Sequence, residues 1–182
     1  VFECTGAFTR RDDLEAHIRA GARYVILSAP SKSDTVETIV HGVNTPNDGT
    51  TIISCASCTT NCITPVMEIL GRRPGVRKAT MTTINGYTSS QALVDGAHAR
   101  ARRGRAAAAN LVPASTGAAT ATTRALPEYG GRFDGVAVRA PIAVGSLADI
   151  VVLTSRPTTV DEVNHVFTEE AGTERYRGIV GV

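Results

Sequence analysis

The stretch Ser54-Cys55-Ala56-Ser57-Cys58-Thr59-Thr60-Asn61-Cys62 constrains this chain more than any other. A β-branched apolar run, Thr50 to Ile53, leads into it, and a helix-like run, Ile63 to Leu70, leads out. A cysteine is therefore expected where a strand ends and a helix begins. Helix N-termini carry N–H groups without intrahelical partners and a partial positive charge. Both favour an anion, so Cys58 is expected to ionise more readily than a free thiol. The same N–H groups, with the Ser57 and Thr59 hydroxyls, make a candidate phosphate cradle. Cys55 and Cys58 also form a C-x-x-C pair, which is open to reading as a redox disulfide or half a metal site. No second C-x-x-C or spaced His pair follows, which argues against zinc, and no metal site is expected. The Ala-Ser spacer lacks the proline of thioredoxin-like pairs. A third reading packs the cysteines as inert apolar groups; it suits Cys55 and Cys62 better than Cys58.

A chain of 182 residues, 42% hydrophobic and 20% charged, has the make-up of a soluble globular protein of one domain or two small ones. The net charge of +2 by itself points to neither a nucleic acid nor a membrane surface. The arginines from Arg100 to Arg105 lack interleaved aromatics, a poor nucleic-acid footprint. No apolar run approaches the ~20 residues of a membrane span, and nothing reads as a leader. Three cysteines between Cys55 and Cys62 suit a reducing compartment, so the expected location is cytoplasmic. Both ends read as cut: the chain opens as if a strand were finishing at Phe2-Glu3 and closes on an apolar, strand-like Gly178 to Val182.

Along the chain, Thr9 and Asp12 suggest a capping box before a helix over 13–20, closed by Gly21. Tyr24 to Leu27 reads as a buried parallel strand. Strand, helix and strand make one βαβ step, the edge of a doubly wound, Rossmann-like parallel sheet. Ligands of such sheets lie beyond the carboxyl ends of strands, here near Thr5-Gly6 and Ser28-Ala29. No G-x-G-x-x-G is present, so dinucleotide binding does not follow from the residues alone. Residues 35–44 are ambiguous between helix and strand, and Asn47-Asp48-Gly49 reads as a turn. The helix after Cys58 is expected to reach about Gly71, with a kink or restart at Pro65. Residues 78–88 are β-prone, with a bulge or a close ligand at Gly86. Residues 89–109 form a long loop of the kind that serves a site or an interface. Pro113 to Ala119 is a second hydroxyl-and-glycine turn ahead of a helix over 118–126, and a second candidate anion cradle. Strands are expected over 135–139 and 148–153. A helix should start at a Thr159–Glu162 capping box, with Val160, Val163, Val166 and Phe167 inward. The second part thus reads as an α+β catalytic domain with a mostly antiparallel sheet.

With these pieces placed, the chain resembles phosphorylating glyceraldehyde-3-phosphate dehydrogenases essentially end to end. The most specific element is Ala56-Ser57-Cys58-Thr59-Thr60-Asn61-Cys62, supported by Glu3 to Thr9, Ser28 to Lys32, Gly42 to Asn44, Asp95-Gly96, Ser115 to Ala119 and Val138 to Pro141. The resemblance implies the remnant of an NAD-binding domain over 1–56 and a catalytic domain over 57–182, truncated at its C-terminal end. It implies oxidation of glyceraldehyde 3-phosphate to 1,3-bisphosphoglycerate through a thioester on Cys58, with hydride passed to NAD or NADP. It places Thr88 and Arg139 at the substrate phosphate, and Ser57, Thr59, Thr116 and Gly117 at the attacking inorganic phosphate. Arg103 matches a phosphate-site arginine of bacterial members. Thr5, Gly6, Phe8, Ser28 and Ala29 match residues lining the adenine and ribose side of NAD. The loop over 89–109 matches one that packs between subunits of a homotetramer. The implied partners are a triose phosphate and inorganic phosphate, with no nucleic acid and no membrane.

Two departures from the family pattern stand out. Asn85, within Thr82-Thr83-Ile84-Asn85-Gly86-Tyr87-Thr88, occupies the place of the family's base histidine. Asparagine hydrogen-bonds an oxyanion but cannot take the thiol proton. The implied alternative is a catalytically weakened member acting as a thiol redox sensor or binding scaffold. The second departure is extent. The family's glycine-rich fingerprint and its C-terminal helix have no counterpart, so this stretch alone is expected to bind cofactor poorly. Of the histidines, only His98 lies near a matched segment, and it reads as a surface-loop residue.

Overall fold

A computed structural model describes residues 1–182. Its first part is a sheet of four short strands: β1 (Phe2–Glu3), β2 (Val25–Leu27), β3 (Glu37–Thr38) and β4 (Ile52–Ser54), in the order β1-β2-β4-β3. Every pair is parallel. Helix α1 (Arg11–Arg19) crosses from β1 to β2 and buries Leu14 against Val25, Leu27, Val36 and Ile52. The expected Thr9–Asp12 box does not form. The cap is Arg10, which makes no side-chain cap bond, and the Ser33 hydroxyl accepts from the Arg11 N–H instead at 3.0 Å. Gly21 closes the helix with φ +100°, its N–H reaching Ile18 O at 2.9 Å. The ambiguous stretch over 35–44 contains only the two-residue edge strand β3 and a turn.

The second part is built on β5 (Val76–Gly86), β6 (Val112–Ala114), β7 (Phe133–Ala140) and β8 (Ser146–Thr154), ordered β6-β7-β5-β8. β5 and β7 are parallel; β5–β8 and β6–β7 are antiparallel. Alternation along β5 turns Ala79, Met81, Thr83 and Asn85 to one face. Helix α2 (Cys58–Arg72) and helix α3 (Ala118–Ala125) cover that face, through Ile63, Met67, Ala118 and Ala119 against Met81 and Phe133. Pro65 is buried inside α2, and the helix runs through it without a restart. The bulge lies at Val76–Lys78 rather than at Gly86. What approaches Gly86 is backbone: a Cβ there would meet Ile142 O at 2.8 Å. Strand β6 falls inside the expected 113–119 turn and shortens it.

Helix α4 (Val160–Gly172) starts at Thr159, whose hydroxyl accepts from the Glu162 N–H at 3.2 Å. Val166 is buried and Val163 and Phe167 pack inward, but Val160 is 75% exposed. The first residue of the helix points away from the core. The segment after α4 is a run of turns holding Tyr176 fully buried, not the strand expected at 178–182. No helix is long and apolar enough to cross a membrane.

Helices α2 and α4 are clamped by Arg72, which donates to both oxygens of the nearly buried Glu170 at 3.0 and 2.8 Å. Arg72 holds the Glu170 carboxyl below the usual carboxylate range. A folded-state pKa below the unfolded one stabilises above the ordinary carboxylate value, and that stability is lost as the pH falls through the folded value. Arg72 is itself 42% exposed, so solvent screens the pair. Arg72→Met is expected to cost about 1 kcal/mol at pH 7. It should also flatten the acid limb of a stability-against-pH curve, measured by urea denaturation.

Candidate active site

The thiol of Cys58 is presented by a strained turn. After β4, Ala56 takes φ +58°, the one non-glycine residue in the left-handed region, and is 2% exposed. Such a conformation costs on the order of 1–2 kcal/mol and persists only where neighbours hold it. Here the Ser54 hydroxyl accepts from the Ala56 N–H at 3.1 Å and donates to Ala29 O at 2.7 Å. Asn61 Nδ2 donates to Cys55 O at 2.7 Å and Ser57 O at 2.9 Å. Ser57 then caps α2, its Oγ accepting from the Thr60 N–H at 3.1 Å. Cys58 is the first residue of the helix and is exposed. The N–H groups of Cys58 and Thr59 precede the first intrahelical bond and stay open. Asn61 and Ala56 carry no signal of this bracing in the sequence.

Across from the helix start is the end of β5. Cys58, Thr59, Cys62, Ile63, Thr83, Asn85 and Ser146 line one cavity of about 130 Å³. Asn85 is flanked in register by Arg139 on β7 and Ser146 on β8, three polar side chains in one row. Ser146 Oγ donates to Asn85 Oδ1 at 2.9 Å, which leaves the Asn85 Nδ2 as the free donor. Arg139 donates to Gly86 O at 2.9 Å.

The remaining phosphate-site residues do not line this cavity. Thr88 Oγ1 lies 2.8 Å from Ser90 Oγ, and Arg103 donates to the same oxygen at 2.9 Å. Burial, then the nearby Arg100 and Arg139, lower the pKa of the Arg103 guanidinium. Arg103 donates to Ser90 and Arg139 to Gly86 O, and neither has a carboxylate partner. Ser90, which bridges Thr88 and Arg103, has no distinguishing signal in the sequence. The Thr116 hydroxyl accepts from the Ala118 N–H at 3.1 Å, and Gly117 caps α3 with nothing within 4 Å of an added Cβ. Helix α3 is tied to α2 by the fully buried Thr64 and Thr122, whose hydroxyls are 3.2 Å apart. His98 is exposed and accepts from its own loop's Arg100 N–H at 2.9 Å.

Thr5, Gly6, Phe8, Ser28 and Ala29 form a separate group beyond the carboxyl ends of β1 and β2. Glu3, 3% exposed, accepts from the Thr5 N–H at 2.8 Å and the Thr5 hydroxyl at 2.5 Å, and lies 3.1 Å from His17 Nε2. Gly6 has φ +74° and open space where a Cβ would stand, and the Phe8 ring is 45% exposed. The Phe8 ring packs edge-on against His17, their centroids 6.1 Å apart. Burial, then the neighbouring Cys4, pushes the Cys55 thiol up. No cluster of three metal-ligating side chains occurs.

The family model for the glyceraldehyde 3-phosphate dehydrogenase C-terminal domain matches residues 57–182. The chain is 42% identical over 185 residues to the glyceraldehyde-3-phosphate dehydrogenase of Zymomonas mobilis, covering 100% of this chain and 54% of that protein. The enzyme of the same name from Clostridium pasteurianum is 46% identical over 175 residues, 94% of this chain and 52% of the relative. That of Haloarcula vallismortis is 45% identical over 184 residues, 100% of this chain and 55% of the relative. The chain spans about half the length of the curated relatives it matches. The chain belongs to the glyceraldehyde-3-phosphate dehydrogenase family, a family of oxidoreductases.

Proposed function

We propose that this chain carries the thiol and the phosphate sites of an enzyme that converts glyceraldehyde 3-phosphate and inorganic phosphate to 1,3-bisphosphoglycerate. The observation that carries this reading is an exposed Cys58 at the first position of α2, facing Asn85 across one cavity. The sulfur attacks the aldehyde carbon, a C–S bond forms, and the former carbonyl oxygen takes up a proton. Asn85 Nδ2 donates to that oxygen; it has no lone pair with which to carry the proton away. NAD or NADP, when bound, supplies the acceptor for the hydride lost from that carbon. Thr5, Gly6, Phe8, Ser28 and Ala29 would hold its adenine and ribose side, with residues 1–56 as part of a Rossmann-like, dinucleotide-binding domain and 57–182 as the catalytic one. As the hydride leaves, the hydroxyl proton passes to solvent, and the oxidised carbon remains on Cys58 as a thioester. Inorganic phosphate, held by Ser57, Thr59, Thr116 and Gly117, attacks it, releasing the acyl phosphate and the thiolate.

Arg139 and Thr88 hold the substrate's own phosphate, with Arg103 reinforcing the positive charge. A guanidinium grips phosphate oxygens in pairs, which an ammonium does not. Arg139→Lys is expected to raise KM for the triose phosphate roughly tenfold while changing KM for inorganic phosphate little. Steady-state kinetics with each substrate varied in turn checks this. The reading as a whole is tested by incubating the intact protein with cofactor and aldehyde. An acyl group should accumulate on Cys58 without phosphate and leave when phosphate is added; no mass increase at Cys58 contradicts it.

The expected assembly is a cytoplasmic homotetramer. The sheet face opposite the helices supports it, because Val136 on β7 and Val151 and Leu153 on β8, the strands on either side of β5, are all more than half exposed. Large apolar side chains left bare on a sheet face are what an interface between copies covers. Val151→Glu is expected to shift the sedimentation profile to smaller species with little loss of secondary structure.

A second reading is favoured by Asn85 itself. With an amide in place of a base, the protein is a weakened member whose exposed thiol serves as a redox sensor or a binding scaffold.

A further inference from the structure

Thr83 sits two residues before Asn85 on the same face of β5. Its register neighbours are Ala137 on β7 and Ala148 on β8, and neither has a side chain able to hydrogen-bond. Thr83 is 2% exposed, its Oγ1 has no hydrogen-bond partner, and it lines the cavity shared by Cys58 and Asn85. A buried hydroxyl left unpaired destabilises a fold, and valine would fill the same volume without that cost. Gln91 is the other buried side chain without partners, and it does not line this cavity.

We infer that Thr83 is a further catalytic residue, its hydroxyl donating to the oxygen on the carbon that Cys58 holds. This rests on the covalent chemistry proposed above for Cys58. When sulfur adds to a carbonyl, negative charge develops on that oxygen, and fixed donors in a shielded cavity stabilise it most at that moment. Asn85 offers one donor there, since its Oδ1 is occupied by Ser146. The alanines on either side offer the Thr83 hydroxyl no competing partner.

The test compares Thr83→Val and Thr83→Ser in the intact protein. Thr83→Val should hold or raise Tm and leave Cys58 modification by methyl methanethiosulfonate within about twofold, yet lower kcat for aldehyde oxidation by about 10²-fold. Thr83→Ser should restore most of that loss. A valine variant that keeps kcat within about twofold overturns the inference. So does one whose Tm, thiol accessibility and rate fall together, which marks a structural role. If the unaltered protein does not oxidise the aldehyde, the proposed function fails. The Thr83 contact is then read from acylation of Cys58 by p-nitrophenyl acetate. A roughly tenfold slowing in Thr83→Val supports it, and an unchanged rate overturns it.

Discussion

Replacing Asn85 by histidine is expected to raise kcat/KM for aldehyde oxidation by roughly 10²-fold or more. A positioned general base contributes about 10²–10⁴-fold, and asparagine supplies only the hydrogen-bonding part of that role. The position suits a base. Asn85 shares a cavity with Cys58 and lies between Arg139 and Ser146 in register. Ser146 Oγ, already bonded to the Asn85 amide, would orient an imidazole through one of its ring nitrogens. The variant should also gain a pH dependence centred near ~6.5, the ordinary range of histidine. Rates measured across pH for both proteins decide the matter. If the unaltered protein already matches Asn85→His, asparagine is not the weak link, and the sensor or scaffold reading is rejected.

Cys58→Ser should abolish acyl transfer to within background. Serine keeps the size of the side chain and the helix start, but its hydroxyl is far less acidic, and Asn85 cannot take its proton. No thioester should be trapped, and mass spectrometry of the protein incubated with aldehyde and cofactor should show no added acyl group. Cys62→Ser, one turn along the same helix, should retain the adduct. That contrast separates the nucleophile from a thiol that only lines the cavity.

Much of this arrangement was legible in the residues. β-prone runs mark β5, β7 and β8, and a β-branched run before Cys58 with a helical one after it marks a helix start there. The short elements were not legible. Strand β3 is two residues at a sheet edge, too short for any period, and β6 is hidden in a proline-containing turn. The contacts across the sheet had no local signal either. Arg139 and Ser146 meet Asn85 only because β7 and β8 both pair with β5, partners distant in the chain. The Thr88–Ser90–Arg103 chain closes a long loop on itself, and a serine at such a site looks like any other. The Thr9–Asp12 box failed for a similar reason: the helix starts after Arg10, and Ser33, distant in sequence, bonds the first helical N–H at Arg11.

The account depends on Cys58 being the reactive thiol among four. Limiting iodoacetamide, followed by peptide mass spectrometry at successive times, measures all four rates in one sample. Cys58 should be alkylated much faster than Cys4, Cys55 and Cys62, and saturating triose phosphate should protect it alone. Alkylation of Cys58 no faster than the other three would contradict the account.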